Sequence, residues 1–284
     1  MTKLIYSPEC LDYEAPGHPE SPDRLRYAYS FLKDKYEILS PMPAADADLL
    51  RVHSPQHLEQ VRTLNFFDPD TPPCPNIDRY ARLAAGAALR AAKARAFSLM
   101  RPPGHHAGRE RVAGFCYFNN LAVAVKSTGL KTLILDVDGH HGDGTQAIFL
   151  GDDQVILISL HRSPWYPGTG LRSEQNCFNY PLRAFCGDEI YLKTLERALD
   201  RVAMHGIEQV AVSAGFDTFL TDDLASLGLS TGCYREIGRR IARLGLPTFA
   251  VLEGGYDVQH LGENIQAFLQ GFNSSGSPAG ASGP

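Results

Sequence analysis

The sequence predicts a single α/β domain, three layers deep, with a mostly parallel sheet covered by helices on both faces. Three observations carry that expectation. Short apolar runs alternate with amphipathic or alanine-rich stretches of helical length, the order that builds a parallel sheet. Four of those runs lead directly into glycines or prolines and chemistry-bearing polar residues, and open parallel sheets bind ligands beyond the carboxyl ends of their strands. The chain has 284 residues, 44% of them hydrophobic, enough for one large core. The domain is expected over 1–272, and the final stretch NSSGSPAGASGP (273–284) is expected to be a disordered low-complexity tail.

A first strand is expected at 4–6. In the loop ESPDRLRY, Ser21 or Asp23 can cap a helix over 25–32. Residues 48–64, holding RVHSPQHLEQVR, are helical in character. Four prolines within 68–75 make that stretch a loop. Residues 79–95 are rich in alanine, which loses no side-chain entropy in a helix, so a helix is expected there. A short strand at 96–100 stops before Pro102 and Pro103. Apolar runs at 132–137, 154–160, 209–214 and 248–252 read as further strands, and helices fit at 188–205, 234–244 and 261–272.

Composition excludes several classes of function. Lys and Arg total 27 against 32 Asp and Glu, a formal charge of −5, so no basic face for direct nucleic-acid binding is expected. The six cysteines form no CxxC pair and no regular frame, which points to a reducing, cytoplasmic home. Met1 leads into a strand-like LIYS rather than a basic start and an apolar core, so no signal peptide is expected. Nowhere do about 18 apolar residues run together, as a membrane span would need.

The densest chemistry lies at 132–145, TLILDVDGHHGDGT. An apolar strand there ends in Asp136, Asp138, His140, His141 and Asp143 among glycines. A buried carboxylate needs a cation or a donor, and residues two apart on an extended chain face the same side. Asp138 and His140 can therefore face one ion, and oxygen with imidazole nitrogen suits Zn²⁺ or Fe²⁺. Asp217, after Gly215 and Phe216 at another strand end, can supply a third ligand and leave the metal open to substrate. His105 and His106 follow two prolines and a glycine, and Asp136 and Asp143 are spare carboxylates able to orient those imidazoles. Tyr256, after two glycines, can donate to a developing oxyanion.

These residues stand in a longer series of motifs: HPESPDRLR from His18, then RPPGHHA, GFCYFNN, DVDGHHGDGTQAIF, SLH, YPGTG, AGFDTF and LEGGYDVQHLGEN. The series resembles the zinc-dependent deacetylases of the histone deacetylase and acetylpolyamine amidohydrolase group, and covers nearly all of the chain outside the tail. The resemblance implies an arginase/deacetylase-like fold and Asp138, His140 and Asp217 as metal ligands. It implies His106 as general base and then acid, His105 as its charged neighbour, and Asp136 and Asp143 as their respective holders. Tyr256 would polarise the substrate carbonyl. Gly114, Phe115, Trp165 and Tyr166 would wall a tunnel around the acyl-lysine methylenes, with Leu224 at its rim and Gly254 in the substrate-binding set. Arg24 resembles the arginine of an inner channel through which acetate leaves. Potassium is implied beside the zinc at Asp136, Asp138, His140, Ser159 and Leu160, and a second site loosely at Phe149, Val155 and Tyr191.

By that resemblance the expected reaction is hydrolysis of acetyl, or another short acyl group, from an N-acylated lysine side chain. The segments GFDTF and EGGYDVQHLGEN look closer to bacterial amidohydrolases and class II deacetylases than to class I. Leu224 occupies a place where a strict polyamine deacetylase is expected to carry an acid. Asp222 and Asp223 beside it can draw a polyamine cation instead, so acetylpolyamine hydrolysis is the alternative. The short loop over 61–79 argues against the dimerisation that acetylpolyamine amidohydrolases achieve with a long insertion there. An arginase-like ureohydrolase, with two metals, and a metal-binding module without turnover are remoter readings.

Overall fold

The computed structural model describes residues 3–202 and 206–273. Among the described residues, eight strands form one sheet: β1 (Lys3–Ile5), β2 (Glu37–Leu39), β3 (Phe97–Ser98), β4 (Thr132–Asp136), β5 (Val155–Arg162), β6 (Cys177–Leu182), β7 (Gln209–Ala214) and β8 (Thr248–Leu252). Their order is β2-β1-β3-β8-β7-β4-β5-β6, and every pairing is parallel. The central strands β4, β7 and β8 are buried at every residue, as a sheet covered on both faces requires.

The helices are α1 (Pro22–Leu32), α2 (Asp46–Leu49), α3 (Pro55–Thr63), α4 (Ile77–Ala94), α5 (Asn120–Thr128), α6 (Asp143–Phe149), α7 (Gly187–Arg201), α8 (Thr231–Ala242) and α9 (Leu261–Asn273). Helices α4 and α5 pack on each other and against β3, β7 and β8, while α7, α8, α9 and α1 pack in series as the other layer. The α8–α9 crossing is unusually close. A Cβ on Gly238 would lie 2.2 Å from the Phe268 carbonyl oxygen, and one on Gly271 would lie 2.0 Å from that of Arg235.

Several expected boundaries moved, each for a local reason. The helical stretch at 48–64 is two helices, because Pro55 has no N–H to continue a helix and instead opens α3. Ser54 caps it, its hydroxyl accepting the His57 N–H at 3.2 Å. Likewise Ser230 caps α8, which begins at Thr231, three residues before the expected start, the Ser230 side chain accepting from Cys233 N–H. Strands β2 and β6 and helices α5 and α6 were not expected. Strand β6 holds Pro181, which an edge strand tolerates. Helix α5 is apolar over most of its length and so lacks the polar face that marks a helix in sequence. Helix α7 ends at Arg201, short of the expected 205; residues 203–205 lie outside the described residues. Asn273, expected in the tail, ends α9, and 274–284 lie outside the described residues.

Candidate active site

Four strands that are adjacent in the sheet, β3, β8, β7 and β4, each release a polar segment at their carboxyl ends: 101–106, 253–256, 215–217 and 136–143. The site is assembled there. Asp138, His140 and Asp217 bring one ligand atom each to within 4.8 Å of one another. Asp138 is held by main chain, its Oδ1 accepting the His140 N–H at 2.8 Å and its Oδ2 the Gly254 N–H at 2.8 Å. Asp217 Oδ1 accepts the Gly139 N–H at 2.7 Å. Its Oδ2 is buried and accepts no hydrogen bond, although His140 Nδ1 lies 2.8 Å away. Left to themselves, burial and the neighbouring Asp138 push Asp217 up to about 7. A divalent cation satisfies both carboxylates and the orphaned oxygen together, and two carboxylates with one imidazole are a donor set that suits one.

Gly254 does not line the cavity. It sits against the ligands, where a Cβ would come within 2.6 Å of Asp217 Oδ2 and 2.7 Å of Asp138 Oδ2.

The two histidines have separate holders. His105 Nδ1 lies 3.2 Å from Asp136 Oδ2, and His106 Nδ1 lies 2.7 Å from Asp143 Oδ1. Both rings are buried, with centroids 4.1 Å apart. Burial opposes charge on His105, but Asp138 and Asp136 outweigh it and hold this imidazole well above its usual range. Burial, then the charge of His105, pushes His106 down to about 3. The two adjacent imidazoles are thus pushed in opposite directions, His105 toward its charged form and His106 toward its neutral one. Asp143, the first residue of α6, also accepts from Arg111 and is held down to about 2 despite its burial, by His106 and Arg111.

A cavity of about 220 Å³ opens onto this set. Gly114, Phe115, Trp165, Tyr166 and Leu224 line it, together with His106, His140 and Tyr256. Tyr166 meets the rings of His106 and His140 edge-on at 5.2 and 6.1 Å, and Phe115 meets Tyr256 at 5.8 Å. The walls are therefore mainly aromatic and narrow. The proline-rich loop is strapped to them: Thr71 Oγ accepts the Phe115 N–H at 2.8 Å, and Asp68 accepts the Gly114 N–H at 3.3 Å. That loop also contributes Asp70, an exposed carboxylate lining the cavity that sequence reasoning did not single out.

Tyr256 rests against a buried charge network. Arg24 donates from Nε to the Gly255 carbonyl at 2.7 Å, from Nη2 to the Glu253 carbonyl at 2.6 Å and from Nη1 to Glu20 at 3.0 Å. Its guanidinium lies 4.7 Å from the Tyr256 ring centroid. Arg24 is fully buried and lies outside the cavity lining, its three nitrogens already engaged. Glu20 also holds Arg101, which donates to both of its oxygens at 2.8 Å. Burial pushes the Tyr256 phenol well above its usual range, so it stays a donor.

Glu253 was missed as well. Its Oε2 accepts the Gly104 and His105 N–H groups at 2.7 and 3.1 Å, and its Oε1 accepts the Ser213 hydroxyl at 3.1 Å. The available signal was an acid between an apolar strand and two glycines. Asp222 corrects an expectation directly. It is 5% exposed and bound by main-chain N–H groups, so it offers no free charge at the rim, whereas Asp223 is exposed.

Fold and site together fit a metal-dependent hydrolase. Comparison with known proteins narrows that class: the histone deacetylase domain matches residues 18–272, and the chain belongs to that family. It is 37% identical to a probable deacetylase of Archaeoglobus fulgidus over 97% of this chain and 88% of that protein. It is 38% identical to acetylpolyamine amidohydrolase 1 of Pseudomonas aeruginosa over 68% of this chain and 60% of that one. The crystal structure of the HDA15 HD domain superposes with a TM-score of 0.89 at 31% identity, covering 97% of this chain and 91% of that one. The protein is a deacetylase of acetylated amines or lysine, and its family implies a divalent metal, typically zinc. Among the described residues, no helix is long and apolar enough to cross a membrane.

Proposed function

We propose that the protein removes acetyl, or another short acyl group, from N-acylated lysine side chains. The observation that carries this reading is the narrow aromatic cavity leading to Asp138, His140 and Asp217, with neutral Leu224 among its lining residues. Such walls suit four methylenes and a neutral amide. Asp138, His140 and Asp217 would hold zinc, or Fe²⁺ on the same donors, which when bound would supply Lewis-acid chemistry at the scissile amide. His106 is neutral with Nδ1 engaged by Asp143, leaving Nε2 to take the proton of the attacking water and return it to the leaving amine. Charged His105 on Asp136 and the Tyr256 phenol stabilise the developing oxyanion. Phe115, Tyr166 and Trp165 flank the methylenes, and Gly114 leaves room for the His106 ring, which a Cβ there would meet at 2.5 Å. Potassium beside the metal goes with this reading, since Asp136 pairs in register with Ser159 next to Leu160. A second potassium site at Phe149, Val155 and Tyr191 is looser. Six free cysteines suit a cytoplasmic location.

The polyamine reading has one observation of its own, the exposed Asp70 carboxylate at the cavity, which can pair with a second ammonium. The deciding experiment compares kcat/KM for acetyl-lysine peptides, acetylputrescine and acetylspermidine, with metal content measured on the same sample. Preference for the peptides supports the lysine reading; preference for the polyamines, weakened selectively by Asp70→Asn or Asp223→Asn, replaces it. Two metals per chain would turn the assignment toward an arginase-like site.

A further inference from the structure

We infer that Asp222 is a positioning residue that ties the lining of the cavity to the main chain of Tyr256. The inference rests on the role proposed for Tyr256. Asp222 lies just ahead of Leu224, and its buried carboxylate takes its hydrogen bonds from main-chain N–H groups of two separate segments. Oδ2 accepts from Tyr256 at 2.6 Å and from Asp257 at 3.1 Å. Oδ1 accepts from Leu224 at 2.9 Å. Leu224 lines the cavity, and its carbonyl accepts the indole N–H of Trp165, another lining residue. A continuous chain of bonds therefore runs Trp165–Leu224–Asp222–Tyr256.

The segment around Tyr256 needs such an anchor. Gly255 precedes it at φ +127, a backbone conformation that side chains rarely adopt and that glycine does not hold by itself. Arg24 grips the carbonyls of Glu253 and Gly255, and Asp222 grips the N–H groups of Tyr256 and Asp257. Carbonyls are pinned by a buried cation and amides by a buried anion, which fixes the direction in which the phenol leaves the chain. An isolated buried carboxylate is costly, and a hydrophobic residue at 222 would fill the space without fixing anything. An oxyanion donor displaced by a fraction of an ångström loses much of its effect in the transition state and little in ground-state binding.

Asp222→Asn tests this on the full chain loaded with zinc. An amide keeps the shape, yet one of its two ends becomes a donor facing an N–H, so one link of the chain is lost. We expect kcat on an acetyl-lysine peptide to fall about tenfold or more, with KM, zinc content and melting temperature near wild type. In a Tyr256→Phe background the same substitution should add less than about twofold, because the phenol it positions is gone. Trp165→Phe removes the indole link and also trims the cavity wall. The wall change is read in KM, while its smaller loss of kcat should vanish in the same Tyr256→Phe background, which covers the case in which Asp222→Asn misfolds. Equal losses in both backgrounds, or no loss of kcat, would overturn the positioning role and leave the proposed reaction standing. Wild-type turnover by Tyr256→Phe alone would overturn the role of the phenol, and this inference with it.

Discussion

His105 and His106 are neighbours in sequence with opposite electrostatic fates, and the difference comes from which carboxylates each one meets. His105 lies between Asp136 and Asp138, whereas His106 has Asp143 alone, and that carboxylate is shared with Arg111. A proton shuttle must be neutral when water attacks, so His106→Ala should lower kcat/KM by about 10²–10⁴ at unchanged metal content. His105→Ala should cost less. Steady-state kinetics on both purified variants checks this, and equal losses would mean that the two act as one base. The HH dipeptide and its two spare acids were legible because strand ends in parallel sheets collect such residues. Asp222 was misread for the opposite reason: its partners Tyr256 and Asp257 lie more than thirty residues away, so sequence proximity to Leu224 suggested a rim charge.

Elements were legible where periodicity or composition spoke for them, as in the alanine-rich α4 and the apolar strands β4, β7 and β8. Those fixed by context were not. Strand β2 is three residues pairing only with β1, and α6 begins inside the metal motif itself. The α8–α9 crossing is another tertiary effect, since Gly238 and Gly271 mean little until two backbones meet through them. Gly238→Ala forces a methyl against a carbonyl oxygen that rigid helices cannot easily move aside. Overpacking of this kind costs about 1–3 kcal/mol and should lower Tm by about 2–5 °C in a chain of this length. Calorimetry decides it, and an unchanged Tm would show that the helices slide apart freely.

At the scale of the molecule, Glu20 joins α1, the segment after β3 and, through Arg24, the segment after β8. Burial opposes its charge, yet Arg101 and Arg24 win and hold the carboxyl below its usual range. A carboxyl lowered on folding binds a proton more readily in the unfolded chain. Its contribution is therefore fully present above the unfolded value, about 4.3, and is lost as pH falls through the lowered folded value. Glu20→Gln leaves two buried guanidiniums short of a counter-charge, so we expect a loss of about 3–5 kcal/mol at neutral pH and a shallower fall of stability below about pH 4.3. Urea melts at several pH values test both; a wild-type slope retained by the variant would assign the acid limb to other carboxylates.

Strand β8 has a consequence for the order of events during synthesis. It is the last strand among the described residues, yet it lies between β3 and β7 near the middle of the sheet. Until residues 248–252 have left the ribosome, β3 and β7 present unpaired inner edges, and the Gly254 amide that orients Asp138 and the Tyr256 phenol are both absent. Pairings this distant in sequence form slowly, and open edges attract other chains while they wait. A nascent chain should therefore carry all three candidate ligands, loosely arranged and inactive, until one late insertion closes the sheet and the catalytic centre in the same step.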